Sequence, residues 1–375
     1  MWNLFCGKEG VMNIIVIGSG NHHNTLGVIR ALGECGYGVD LITYGSTRKN
    51  YVAHSKYVNT HHALKSIDEL SPFLMARKKT PDKEIIISCA DSVTEQLNNH
   101  RCKLESRYTF PGIPEEGKMV KLMDKTTMIQ MAADRGVKAP QVWMLPEDRE
   151  KVTFPCMTKV HISSHGAKTD IIICYTEDQL NEFLRDNTDD IFAQAYIKKK
   201  EEVQFIGCSL DDGEKIIIPG MSKVLRSQPN TNTGFLEYGP IDPFYKETVE
   251  NAKKYIRDCQ YSGLFSFEIM RGWDDQIWFL EINFRNDGNA WCTTKAGINL
   301  PVIWVKACLG VDYSDEICEP QRIIMMPEFQ DLKLVIQRKI SLCQWMKDWK
   351  RTDYFMEYDK NDPGPFWHYI LDKFK

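Results

Sequence analysis

Two glutamates and an asparagine sit inside apolar runs that would otherwise read as plain strands. In 265-FSFEIMRGWDDQIWFLEINFR-285, Glu268 lies in the run Leu264–Arg271 and Glu281 in the run Gln276–Phe284, around the turn signal Gly272-Trp273-Asp274-Asp275. A hairpin turning about Asp274 and Asp275 sets Glu268 opposite Glu281, and opposed side chains on antiparallel strands share a face with Cβ atoms about 5 Å apart. Period-two alternation adds Asn283 and Arg285 to that face. Facing carboxylates destabilise a sheet unless something positive stands between them. Two carboxylates and an amide are a suitable oxygen set for a hard divalent cation, Mg²⁺. The plainer reading is a solvated polar face on which Arg285 neutralises one carboxylate.

A second group is cationic. Lys159 interrupts the apolar stretch FPCMTKV just before the small-residue loop 163-SSHGA-167. An ammonium beside the backbone N–H groups of such a loop makes a phosphate-binding arrangement. Lys125, at the start of the helix signal MDK, can reach the same anion. Each lysine taken singly is as readily a snorkelling side chain. His161 and His165 are spaced four apart but stand in a loop, which argues against a metal pair.

These groups need a scaffold, and 375 residues are enough for two or three structural units with ample core. Hydrophobic content of 43% and charged content of 26% are those of a soluble globular protein. A net charge of -4 and a pI near 6.2 give no reason to expect nucleic acid as a partner. No apolar run is long enough to span a bilayer, so no membrane partner is expected. The opening MWNLFCGKEGV lacks the apolar core of a secretory signal, and Met12 begins a clean strand, so residues 1–11 read as a leader extension. Twelve cysteines without a C-x-x-C pair argue for reduced thiols in a cytoplasmic protein rather than for zinc or disulfides.

The pattern along the chain is that of an α/β unit followed by an α+β unit. MNIIVI, YGVDLITYG and EIIISCADS (84–92) read as strands around a helix at Val28–Gly36, which suggests a parallel sheet. The turn Gly18–Gly27 suits a small anion. Its glycine spacing fails the dinucleotide fingerprint, because His23 stands at the third position. From Lys118 the helix signal KLMDKTTMIQMAADRGVKAPQ stops at Gly136. The strands FPCMTKV and TDIIICY, the helix TEDQLNEFLRDN, and the strands FAQAYI, EEVQFIGCSL and EKIIIPGMSKV follow. A helix is expected after Asn299, and residues 330–351 read as one amphipathic surface helix.

Taken in order, these features resemble the ATP-grasp superfamily. The resemblance rests on MDK, Gly136-Val-Lys-Ala-Pro140, Phe154-Pro155…Lys159, the loop, Gln194-Ala-Tyr-Ile197, Glu202, FSFE268, and LE281-I-N283-F-R285. It spans about residues 12–310, and its most specific part is the closing E…E-x-N-x-R. GSGNHHNTLGVIRALGECGYGV and SKYV resemble the carboxylate–amine ligase branch that includes D-aspartate ligases. The resemblance implies a parallel-sheet N-terminal domain at 12–117, a lid subdomain at 118–193 and a central antiparallel domain at 194–310; beyond it, 311–375 reads from its own pattern as a C-terminal helical segment.

It also implies roles. Lys125 and Lys159 would hold ATP phosphates under a lid that includes Ser163, Ser164 and Gly166. Main-chain groups of Gln194, Ala195, Tyr196 and Ile197 would bind adenine. Glu202, or Glu201 one residue away, would take the ribose. Glu268, Glu281 and Asn283 would hold Mg²⁺, with Mn²⁺ as the alternative. Arg285, helped by Arg226, would stabilise the transferring phosphoryl group. The chain departs from the family in having one glycine in the lid loop and Ala195 where the hinge often carries an acid. Substrate candidates are the loop Asn21–Thr25 (Asn21 and Thr25 above all), Asp91, and Asn286–Asn289, ending at Asn289, although Asn and Asp are also common turn formers.

The expected activity is ATP-dependent joining of a small carboxylate to an amine through an acyl phosphate, in an assembly that leaves a homo-oligomer open. Two other classes compete: a non-catalytic ATP-binding protein of the same fold, and an NAD-dependent oxidoreductase. The failed third glycine and the mid-strand position of Asp40 count against the last.

Overall fold

The computed structural model describes residues 13–45, 50–160, 172–186, 191–227 and 234–372. The first sheet holds five strands, β1 (Asn13–Gly18), β2 (Gly38–Tyr44), β3 (Val58–Leu64), β4 (Glu84–Ser88) and β5 (Tyr108–Thr109), in the order β3-β2-β1-β4-β5. Every pair is parallel. β1 reads as an unbroken apolar run because both of its faces are covered. Ile14 and Val16 belong to one core, and Ile15 and Ile17 to another on the opposite side.

A second, antiparallel sheet of four strands has the order β6-β9-β7-β8, from β6 (Val142–Met144), β7 (Cys156–Val160), β8 (Ile173–Cys174) and β9 (Ile191–Ala195). The third and largest sheet runs β15-β14-β10-β12-β13-β16-β17, with β11 paired to β10. Its strands are β10 (Lys199–Leu210), β11 (Lys215–Ile217), β12 (Met221–Ser227), β13 (Gly234–Gly239), β14 (Gly263–Gly272), β15 (Ile277–Asn283), β16 (Ile323–Met326) and β17 (Tyr354–Phe355). One face of this sheet buries Phe205, Phe267, Phe279 and Ile282 against the helices Lys125–Asp134 and Lys246–Asp258. The other face carries Ile206, Cys208 and Leu264 into a core shared with β1, the helix His23–Gly33 and the helix Leu300–Cys308. That shared core is what fixes the first sheet beside the third.

Local signals explain the helix that carries Lys125. Asp124 accepts from the Thr127 amide at 2.7 Å, an N-cap, and Gly136 at φ +81° ends the turn that follows. Several sequence expectations are corrected. β3 is not anticipated by the sequence pattern, since its residues are mostly exposed and only Leu64 is buried. The run 84–92 stops as a strand at Ser88, because Asp91 opens a helix to Asn99. EKIIIPGMSKV is two strands separated at Pro219-Gly220. Residues 330–351 form two helices, Glu328–Ile336 and Leu342–Lys350, parted by Arg338 at φ +57° and restarted by the Ser341 cap. The C-terminal segment is not wholly helical either, since β16 and β17 extend the large sheet. The described cysteines are all free thiols, and no described helix is long and apolar enough to cross a membrane.

Candidate active site

The hairpin β14–β15 pairs Glu268 directly with Glu281 and Ser266 with Asn283. A β-bulge at Leu280 makes this register: pairs nearer the turn match Ile269 with Phe279, whereas those beyond it match Phe267 with Ile282. The extra residue keeps Phe279 and Ile282 on the core face while Glu281 turns to the other. On β10, Gln204 lies opposite Glu268 and Glu202 opposite Met270, so both glutamates of the hairpin share their face with Glu202 and Gln204.

Hydrogen bonds bind this face into one group. Asn283 Nδ2 donates to Glu268 Oε1 at 2.8 Å and to Ser266 Oγ at 3.2 Å. Arg285 donates from Nη2 to Asn283 Oδ1 at 2.9 Å, from Nε to Asp91 Oδ2 at 3.3 Å, and from Nη1 to Asp287 Oδ2 at 3.3 Å and Asn286 O at 3.1 Å. Asp287 also accepts from Ser266 Oγ at 3.1 Å. Burial works against the Arg285 charge, but Asp91, Asp287, Glu268 and Glu281 hold it protonated above the ordinary arginine value. The base of the group is fixed by the first helix: Asn24 Nδ2 donates to Asn286 O at 2.8 Å and to Cys89 O at 3.0 Å.

Lys159 belongs to the same neighbourhood. Burial pushes its ammonium down to about 8; Glu281 and Glu268 pull it back up, and Lys125 lowers it further. Lys159, on the second sheet, therefore feels Glu281 and Glu268 of the third as well as Lys125. A buried lysine perturbed by burial and by specific carboxylates makes this group the candidate site.

The remaining candidates divide. Glu202 is buried, takes a hydrogen bond from Lys199 Nζ on Oε2, and has no partner for Oε1 among the described residues. Glu201 points to the other face, where it meets Tyr245, Lys223 and Arg271. In the segment 194–197, the amides of Ala195 and Tyr196 donate to Gln141 O at 2.8 Å and Pro155 O at 3.1 Å. Gln194 Nε2 is buried without a partner among the described residues. Asn289 Nδ2 donates to Gln204 Oε1 at 2.6 Å, which brings it to the site face. Thr25 is buried against Cys89, whose thiol burial pushes up to about 12.

Arg226 has different partners. Its Nη2 and Nε reach Asp331 at 2.6 and 3.0 Å, its Nη1 reaches Asp348 at 2.6 Å, and its guanidinium lies 4.9 Å from the Phe235 ring centre. These contacts join β12 to the C-terminal helices. Asn21 is exposed, its amide bonded to Ser19 Oγ at 3.3 Å. Ser163, Ser164 and Gly166, the histidines 161 and 165, and the extension 1–11 lie outside the described residues.

Sequence reasoning missed Gln204 and Ser266. Gln204 stands two residues from Glu202 in the alternating run EEVQF, a period-two signal that points it to the same face. Ser266 stands two residues before Glu268 and follows the same rule.

A family model described as "ATP-grasp in the biosynthetic pathway with Ter operon" matches residues 243–332, the segment holding the hairpin and Asn286–Asn289. No curated protein matches. Among solved structures, N5-carboxyaminoimidazole synthetase from Staphylococcus aureus complexed with ADP superposes with a TM-score of 0.69 at 17% identity, covering 90% of this chain and 88% of that one. The Aspergillus clavatus N5-carboxyaminoimidazole synthase, in complex with ADP and 5-aminoimidazole ribonucleotide, gives 0.65 at 13% identity, covering 91% and 88%. Biotin carboxylase from Campylobacter jejuni gives 0.63 at 17% identity, covering 84% and 75%. At these identities the likeness is one of fold. The chain has an ATP-grasp fold, with a five-stranded parallel sheet preceding the second and third sheets.

Proposed function

We propose that the chain is an ATP-dependent ligase that activates a carboxylate as an acyl phosphate and passes the acyl group to an amine, releasing ADP and phosphate. The observation that carries this reading is the in-register pair Glu268–Glu281 with Lys159 acting on both. The polar atoms left over fit MgATP. Glu202 Oε1 suits a ribose hydroxyl, and Gln194 Nε2 lies beside the segment expected to hold adenine. With the Ala195 and Tyr196 amides already bonded, recognition of the base falls to the Ile197 amide and the carbonyls of 194–197.

Glu268, Glu281 and Asn283 would hold Mg²⁺, with Mn²⁺ as a substitute, and the bound metal would neutralise charge on the phosphates. Lys125 and Lys159 would bind the phosphate oxygens. Arg285, kept protonated by four carboxylates, would face the phosphoryl group in flight. A carboxylate is a poor acyl donor because its leaving group is oxide. Phosphorylation supplies a better one, and the step needs positioning and charge neutralisation more than covalent help. Asp91 and Asn289, tied to Arg285 and Gln204, border the space for the acid and the amine. Arg226 is better read as a structural joint than as a catalytic helper, given its two aspartate partners.

The test is phosphate release from MgATP over paired carboxylates and amines, with bicarbonate and both enantiomers of aspartate among them. Turnover that needs both partners supports the ligase. Turnover with bicarbonate alone would favour the carboxylase chemistry named for the structural neighbours, and MgATP binding without turnover would favour a non-catalytic protein. Thermal protection by NAD rather than MgATP would revive the oxidoreductase reading. Asp40 already opposes it, being bonded to Arg77 at 3.0 Å and Thr60 at 2.7 Å.

A further inference from the structure

The first helix opens with a buried histidine that the chemistry above does not use. His23 is 4% exposed, and its Nε2 has no partner among the described residues. The other ring nitrogen faces the C-terminal segment, with Nδ1 lying 3.6 Å from Glu357 Oε1 and 3.4 Å from the Gln330 side-chain amide. Gln330 Oε1 is itself buried without a partner among the described residues, so turning that amide over lets Oε1 accept from an Nδ1–H. Glu357 is held in place from behind. Glu328 accepts the amides of Met356, Glu357 and Tyr358 at 3.1, 3.3 and 2.6 Å, and Arg30 Nη2 donates to the Glu357 carbonyl at 2.9 Å.

Asp287 also acts on the His23 ring, and the ring of His22 lies 4.2 Å away. The next residue, Asn24, donates to the Asn286 carbonyl that also takes Arg285 Nη1. One ring nitrogen is thus turned to the buried carboxyl group of Glu357, while the other has no partner among the described residues. That is the disposition of an oriented base.

Resting on the ligase reading, we propose that His23 Nε2 takes the proton of the acceptor amine, with Glu357 as the positioning residue that keeps the other proton on Nδ1. The amine nitrogen forms the C–N bond to the acyl carbon while the C–O bond to phosphate breaks. Before that attack the bound ammonium gives one proton to Nε2; phosphate then leaves with the electron pair and takes up the second nitrogen proton, and the His23 ring returns its own proton to solvent. Burial pushes His23 down to about 4, against the pull of Asp287, so the ring is neutral at pH 7 and its lone pair is free to accept. The C-terminal segment is thereby part of the active site, although its sequence carries no motif.

The test uses the full chain with the carboxylate–amine pair of fastest phosphate release, and hydroxylamine as a second nucleophile that is already unprotonated at neutral pH. His23→Gln should lower amine-dependent turnover about 100-fold while hydroxamate forms at close to the wild-type rate. Glu357→Gln should lower kcat with the amine KM unchanged and displace the acidic limb of the pH profile. Imidazole ¹⁵N spectra of the wild type, with the His23 signal assigned by its loss in His23→Gln or His23→Asn, should show the Nδ1–H tautomer at pH 7. An Nε2–H tautomer, a charged ring, or equal losses with amine and hydroxylamine would overturn the proposal. No turnover by the wild type with any pair brings down the ligase reading and this role with it. A wild type that turns over while His23→Gln is unaffected brings down the role of His23 alone.

Discussion

Replacing Glu281 by glutamine should leave the fold intact and remove the benefit of MgATP. Glutamine has nearly the same volume, and Glu281 is only half-buried at the sheet face, so no cavity forms. The charge change has opposed effects. It relieves the repulsion with Glu268 across the β14–β15 pair and forfeits the attraction to Lys159 and Arg285, both of which feel Glu281. The balance in the absence of ligand should stay within about 1 kcal/mol, the scale of one net polar contact. The ligand effect is larger. A nucleotide present at 100 times its Kd stabilises the native state by about 2.7 kcal/mol. In a chain of 375 residues that corresponds to a rise in Tm of roughly 3 °C. The assay is a thermal melt of wild type and variant with ATP, with and without magnesium. Wild type should gain the full shift, lose it to EDTA, and resemble the variant thereafter. Protection of Glu281→Gln equal to that of wild type, or wild-type protection that survives EDTA, would refute the metal assignment.

Lys159→Ala should raise the ATP concentration needed for half-maximal turnover at least tenfold, the effect of losing about 1.4 kcal/mol of phosphate contact; an unchanged ATP dependence in initial-rate assays counts against it. Arg30→Met should cost about 3–5 kcal/mol in denaturant unfolding, because it strands Asp362 in a buried pair whose Nε–Oδ2 distance is 3.0 Å; a loss below 1 kcal/mol would show that the C-terminal segment is held by its apolar contacts instead. Deleting Leu280 should leave a cooperatively folding protein, whereas inserting one alanine after Glu281 should not, since a one-residue slip reverses every side chain beyond it. A deletion more damaging than the insertion, measured by the same denaturant curves, would sink the register argument.

The third sheet shows how much of this was legible and where legibility stopped. The apolar spacing Phe265, Phe267, Ile269 is strict alternation and puts Glu268 opposite in face to that core without any coordinates. The partner strand breaks the rule. Phe279, Ile282 and Phe284 are core residues, and a three-residue step between Phe279 and Ile282 cannot occur in a regular strand. Locating the turn at Asp274 and Asp275 happened to set Glu268 opposite Glu281. The observed turn closes one residue tighter, pairing Arg271 with Ile277, and the bulge at Leu280 restores the offset. The correct pairing therefore came from two shifts that cancel, one in the turn and one in the strand, and the irregular apolar spacing was the sequence signal for both.

What was not legible is long-range and polar. Nothing near Arg226 announces Asp331 or Asp348, more than a hundred residues downstream, yet those two carboxylates take all of its described charge-assisted bonds. His23 was noticed only because it spoils a glycine fingerprint. What the structure adds is its approach to Glu357, from the C-terminal segment 311–375 that reads as helical and in fact returns to the large sheet through β16 and β17. Apolar periodicity predicts which face of an element is buried, because burial is non-directional and acts on every residue of the face. A single buried polar contact leaves no periodic trace. The parts of an active site supplied by such contacts emerge only when the topology that brings distant segments together is known.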